Sequence, residues 1–128
     1  MIVCHYCGQP AKLVGGDVIY PHRPDLAAKQ FWNCAPCGAY VGCHPGTTQS
    51  LGILANAQLR MLKSRVHAAF DPMWRSKQKR RGEAYRWLAD GIGIPFAECH
   101  VGMFSEDRCR AALAFLSAQS QRGSDAKR

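Results

Sequence analysis

Two different hydrophobic rhythms divide this chain of 128 residues. Up to about residue 50 the apolar positions come in short runs broken by glycine and proline, the texture of short strands and loops. Lys12-Leu13-Val14 and Asp17-Val18-Ile19-Tyr20 flank Gly15-Gly16 and predict a tight hairpin. A loop holding Pro21 and Pro24 leads to Phe31-Trp32-Asn33, and Ala39-Tyr40-Val41-Gly42 predicts another short strand. Beyond that the spacing changes. Leu59, Leu62, Val66 and Phe70 recur at steps of three and four, one face of a helix over about 53–70, with Thr47, Thr48, Ser50 and Asn56 as candidate caps. Asp71-Pro72 has the form of an N-cap followed by a first-turn proline, which predicts a separate short helix through Trp74. A further helix over about 82–90 turns Ala84, Trp87 and Leu88 inward and ends at Gly91 and Gly93. Residues 94–102 read as extended or looped. Ser105 caps a last helix, with Phe104 and Cys109 at the spacing of a hydrophobic staple and Ala112, Leu113, Phe115 and Leu116 continuing its buried face. From Ser120 the chain is small and polar, predicting a flexible tail over 120–128.

The first fifty residues hold few long aliphatic side chains and cannot bury much surface unaided. They do hold two Cys-x-x-Cys pairs, Cys4/Cys7 and Cys34/Cys37, each followed by glycine. That spacing lets one tight turn aim two thiolates at one ion, and the glycine suits a left-handed exit from the turn. Two pairs supply four soft ligands, the complement of one closed, structural Zn2+ site. A redox dithiol needs only one pair, and an iron–sulfur centre is the other reading. The adjacent pairs Cys43-His44 and Cys99-His100 invite a second metal site, but neighbours on a strand point to opposite faces, so each pair supplies at most one ligand. Cys109 falls on an apolar helix face and reads as core.

The net charge of +8 is unevenly placed. Residues 60–86 hold nine cations, Arg60, Lys63, Arg65, Arg75, Lys77, Lys79, Arg80, Arg81 and Arg86, against Asp71 and Glu83, which leaves +7 there. Trp74, Tyr85 and Trp87 are interleaved with them. Cations for phosphates and aromatics for bases form a nucleic-acid-binding combination, although such a run also serves as a solvated face. No Ser-His-Asp order, phosphate-cradling glycine loop, His-Glu-x-x-His or paired carboxylates occur, so a binding protein is expected rather than an enzyme. The remaining catalytic reading is a His-dependent nuclease built on His44 and His100, which titrate near neutral pH. The start Met1-Ile2-Val3-Cys4-His5 carries no basic leader or apolar core, and no apolar run approaches spanning length. The expectation is a cytoplasmic protein without a membrane partner.

A longer pattern runs through the chain: Cys4-x-x-Cys7-Gly8, Trp32-x-Cys34-x-x-Cys37-Gly38-Ala39-Tyr40-Val41-Gly42-x-His44, Leu51-Gly52-x-Leu54-Ala55, Arg60, His67, Phe70-Asp71-x-x-Trp74, Ala84-Tyr85-x-Trp87-Leu88-Ala89 and Cys99-His100-x-Gly102-x-Phe104. In this it resembles the small zinc-finger-containing family of phages, prophages and bacteria. The resemblance implies zinc at Cys4, Cys7, Cys34 and Cys37 and a phage-related setting, in which a rival function is binding and inhibiting a host protein such as a defence nuclease or a transcription component. The expected architecture is α+β: a zinc-ribbon or treble-clef-like module over 1–46 packed against a small helical region over 47–119, with the basic segment 60–86 facing nucleic acid, DNA or RNA.

Overall fold

The structure is a computed structural model that describes the backbone of residues 2–126 and side chains through residue 119. The chain forms two compact units, Met1–Arg60 and Met61–Arg128, in an α+β fold of a small sheet with a cysteine cluster and a set of helices.

In the first unit three antiparallel strands stand in the order β1 (Lys12–Gly15), β2 (Gln30–Cys34), β3 (Ala39–Gly42). Leu13 faces Trp32 across one ladder, and Trp32 faces Val41 across the next. The β2–β3 register closes at Cys34 opposite Ala39, so the second Cys-x-x-Cys forms the tip of that hairpin. The expected hairpin at Gly15-Gly16 does not form. Residues Gly16–Ile19 make one helical turn, α1, and β1 pairs with β2 across a long connection. The reason is a close approach rather than a turn: the Gly16 N–H donates to the Lys29 carbonyl at 2.7 Å, and a Cβ on Gly16 would fall on the carbonyl of Leu26.

The buried cluster of this unit is Cys4, Ala11, Cys34, Ala39 and Leu54, with Ile2, Trp32, Cys37 and Val41 packed on it. Leu54 enters it because residues after β3 fold back along the strand. Bridges join Cys43 to Ser50 and Tyr40 to Ala55, and Trp32 Nε1–H donates to the Thr48 carbonyl at 2.7 Å. The first unit therefore runs on past residue 46 to Arg60.

Helix α2 (Ala57–Arg75) is capped by Asn56, whose Oδ1 accepts from the Leu59 N–H at 3.0 Å. Its buried stripe of Leu59, Leu62, Val66 and Phe70 is the one the periodicity predicts. No new helix starts at Asp71. The helix passes through Pro72 unbroken, and the Ser76 N–H still reaches the Pro72 carbonyl at 2.9 Å. Asp71 is only 6% exposed and does not cap; its Oδ2 accepts from His67 Nδ1–H at 3.0 Å and lies 3.6 Å from Arg75 Nη2, one turn to either side.

After an exposed turn with Lys77 at φ +64°, α3 (Arg81–Ile92) ends at Gly93 in the left-handed region. Two short 3-10 turns follow, Phe96–Glu98 and Val101–Met103, before α4 (Glu106–Ala126), capped by Ser105. Phe70, Ala84, Leu88, Cys99, Val101, Phe104, Cys109 and Ala112 form the deepest part of this unit. Trp87 packs against Phe115 with ring centroids 4.7 Å apart and planes tilted by 51°, and a Cβ on Gly91 would strike that Phe115 ring. The tail expected over 120–128 falls on residues whose side chains lie outside the described part.

Candidate functional site

The first knuckle is wound by its own backbone. The Cys4 N–H donates to the Gln9 carbonyl at 2.9 Å, and the Gly8 N–H to the Cys4 carbonyl at 2.7 Å, with Gly8 at φ +77°. In the second, a 3-10 turn over Ala35–Cys37 hands on to Gly38 at φ +60°. Both glycines occupy the left-handed region their position after the second cysteine predicts.

The two turns bring Cys4, Cys7, Cys34 and Cys37 together, with all four Sγ atoms within 4.8 Å of one another. Cys7 Sγ and Cys34 Sγ are 3.7 Å apart. A tetrahedron with metal–sulfur distances of about 2.3 Å has edges of about 3.8 Å, so the cluster matches zinc. The electrostatics agree. The Gln9 backbone N–H holds Cys7 below the usual thiol range, while the Cys7 sulfur beside it, burial and the other two cysteines push Cys37 up to about 12. Four adjacent thiolates need a cation among them. The site is a single structural Zn2+ centre, and with four protein sulfurs around the ion it is closed.

Residues between and beyond the ligands brace the knuckles. His5 Nε2–H donates to the Leu54 carbonyl at 2.8 Å, and the Tyr6 hydroxyl accepts from the Asn56 N–H at 3.2 Å. Arg60 donates to the Ala55 carbonyl at 2.6 Å and the Gly38 carbonyl at 3.4 Å, with its guanidinium 4.0 Å above the Tyr40 ring. Tyr40 in turn shares a 2.7 Å hydrogen bond with Tyr20.

The other cysteines and histidines do not join a metal site. Among the described residues the four-cysteine group is the one cluster of three or more metal-binding side chains. Cys99 and Cys109 are buried in the second unit, where burial pushes both thiols up. His44 is exposed beside a cavity of about 650 Å³ in the first unit, whose lining includes Lys29, Phe31, Cys43 and Leu51. His100 is exposed beside a smaller slot in the second unit.

The nine cations of residues 60–86 sort into two kinds. Arg60 is committed as above. Lys63, half-buried, donates to the Gly102 carbonyl at 2.7 Å, and burial lowers its pKa. Arg65, Arg75, Lys77, Arg80, Arg81 and Arg86 are exposed and Lys79 partly so. Around the corner from α2 into α3, cations lie over rings: Arg75 and Arg81 near Trp74 at 5.4 and 5.3 Å, Arg81 near Tyr85 at 5.1 Å, Lys79 near Trp87 at 5.7 Å and Arg86 near Phe96 at 4.8 Å. Phe96 is 46% exposed, and an isolated Phe after a proline carries no signal in the sequence. No helix among the described residues is long and apolar enough to cross a membrane.

Over residues 1–119 the chain matches the family described as zinc-finger-containing domain. No curated protein and no solved structure matches it.

Proposed function

We propose that this chain, which belongs to the family of zinc-finger-containing domains, binds nucleic acid, DNA or RNA, through the α2–α3 corner of its second unit, in the cytoplasm. One observation carries this reading: exposed cations and partly exposed rings alternate over one short segment, Trp74 to Phe96. Phosphate neutralisation and base stacking both need such groups, and a cation held over a ring is already ordered for contact. Lys79, Arg80 and Arg81 also gather at the start of α3, whose N-cap Arg80 makes no side-chain cap. The helix dipole disfavours cations there, Glu83 in the first turn offsets this only in part, and a phosphate relieves the rest. The closed zinc centre has a folding role in this reading, and the protein binds rather than cleaves.

The test is the salt dependence of binding to labelled DNA and RNA. Affinity falls steeply with salt, and replacing Lys77, Lys79 and Arg80 together with Ala flattens the log–log slope by roughly 2 to 3. Absent or salt-insensitive binding to every form sinks the reading. A stable complex with a host protein that survives nuclease treatment, without such binding, replaces it with the inhibitor function.

A further inference from the structure

We propose that the slot at the start of α3 is a subsite for one unstacked nucleobase, so that this surface selects single-stranded over duplex nucleic acid; the inference rests on the nucleic-acid reading above. The slot has a volume of about 170 Å³ and is lined by Arg81, Gly82, Tyr85, Phe96, Cys99 and His100. Sites for drug-sized ligands run from roughly 300 to 1,000 Å³, so this one is limited to a single small ring system.

The lining suits a base more than other small rings. Two aromatic side chains, Tyr85 and Phe96, contribute to its walls. Tyr85 is fixed by its edge-to-face contact with Phe70, ring centroids 4.9 Å apart. Phe96 is held in the 3-10 turn Phe96–Glu98 with the Arg86 guanidinium 4.8 Å over its ring. A single exposed Phe is ordinary on a protein surface. Here it shares a slot with another ring, the guanidinium of Arg81 and the imidazole of His100, which supply donors for base carbonyls and ring nitrogens.

Among the described residues, no carboxylate lines the slot. Two acids adjoin lining residues in sequence: Glu98, held by Arg108 at 2.8 Å, and Glu83 in the first turn of α3. Cys99 is buried to 1% exposure and makes an apolar floor. Arg80 and Arg86, exposed and flanking lining residues in sequence, add positive charge near the slot. A duplex stacks its base faces inside the helix, whereas a single strand turns one outward at little cost.

Gly82 allows a clean test, because a Cβ built there meets nothing within 4 Å. A side chain at this position enters open space at the slot wall and, in the first turn of a helix, costs the fold nothing. Fluorescence anisotropy on the full zinc-loaded chain compares a short single-stranded oligonucleotide with the duplex of the same sequence. The wild type binds the single strand more tightly. Gly82→Leu, which adds a side chain at the slot wall, and Phe96→Ala, which removes one wall, each weaken single-strand binding by roughly 5- to 150-fold, the range of one lost base stack, with a clearly smaller loss on the duplex and the salt slope unchanged. Single-strand binding that is unaltered in both variants overturns the subsite and leaves the charge-based reading standing. Equal losses on single strand and duplex overturn it too. A wild type that binds neither form overturns both.

Discussion

Replacing Cys34 with Ser tests whether zinc holds the first unit together. Cys34 ends β2, is 5% exposed, and pairs with Ala39 at the point where the sheet meets the second knuckle. Structural zinc in small domains contributes about 10–16 kcal/mol at neutral pH, so one of four ligands carries about 3–4 kcal/mol, or two to three orders of magnitude in zinc affinity. Only Leu54 among the buried cluster of that unit is a long aliphatic residue, so little packing compensates. Cys34→Ser is expected to lose zinc to a chromophoric chelator at least a hundredfold more readily than wild type, and to lose the sheet with it. Elemental analysis should give one zinc per wild-type chain. Cys43→Ser, outside the cluster, serves as the control and keeps both zinc and sheet. A metal-free Cys34→Ser protein with an intact sheet by circular dichroism would falsify the assignment.

Two further outcomes test the packing around that centre. Gly16→Ala places a methyl on the Leu26 backbone carbonyl and should destabilise by at least the 1–3 kcal/mol of an overpacked site, whereas Gly15→Ala meets the movable Asp17 carboxylate and should cost less; the difference in urea midpoints checks this, and equal midpoints would refute the close approach. Burial, aided by the Tyr20 hydroxyl, pushes Tyr40 up to about 12. A raised folded pKa means that Tyr40's contribution to stability is fully present below its unfolded value of about 10 and is lost as pH rises through about 12. Tyrosinate absorbance should show a late step missing from Tyr40→Phe, and loss of an early step instead would contradict the Tyr20–Tyr40 contact.

The parts legible from sequence are those set by local pattern. The knuckles are written in four cysteines and two glycines, β3 in Ala39–Gly42, and the α2 stripe in the spacing of Leu59, Leu62, Val66 and Phe70. The misreadings come from motifs whose meaning depends on distant partners. Gly15-Gly16 reads as a turn until the Leu26 carbonyl lies against it. Asp71-Pro72 reads as a helix start because the form is the same whether or not the carboxylate is free to cap. A signal against that start was nonetheless present: His67, Asp71 and Arg75 follow one another at steps of four, the spacing of neighbours on a continuous helix face. The brace from His5, Tyr6 and Arg60 to residues 38 and 54–56 left no such trace, since it joins positions up to 50 apart.

Those distant partners also change what the charge block can do. Counted along the sequence it holds nine cations, but Arg60 and Lys63 spend their donors on the carbonyls of Ala55, Gly38 and Gly102. Their charges still add to the field, yet their head groups are not placed to bridge phosphates. Seven remain, and Arg75 leans toward Asp71 at 3.6 Å. At about 0.7 counterions released per phosphate on a single strand, six or seven contacts give a log–log salt slope of about −4 to −5. A steeper slope would require cations outside 60–86, such as Arg110 of the second unit or Lys12 and Lys29 of the first. A slope in the expected range that is indifferent to Arg60→Ala, despite the stability that variant loses, assigns the contacts to the seven remaining cations of residues 65–86.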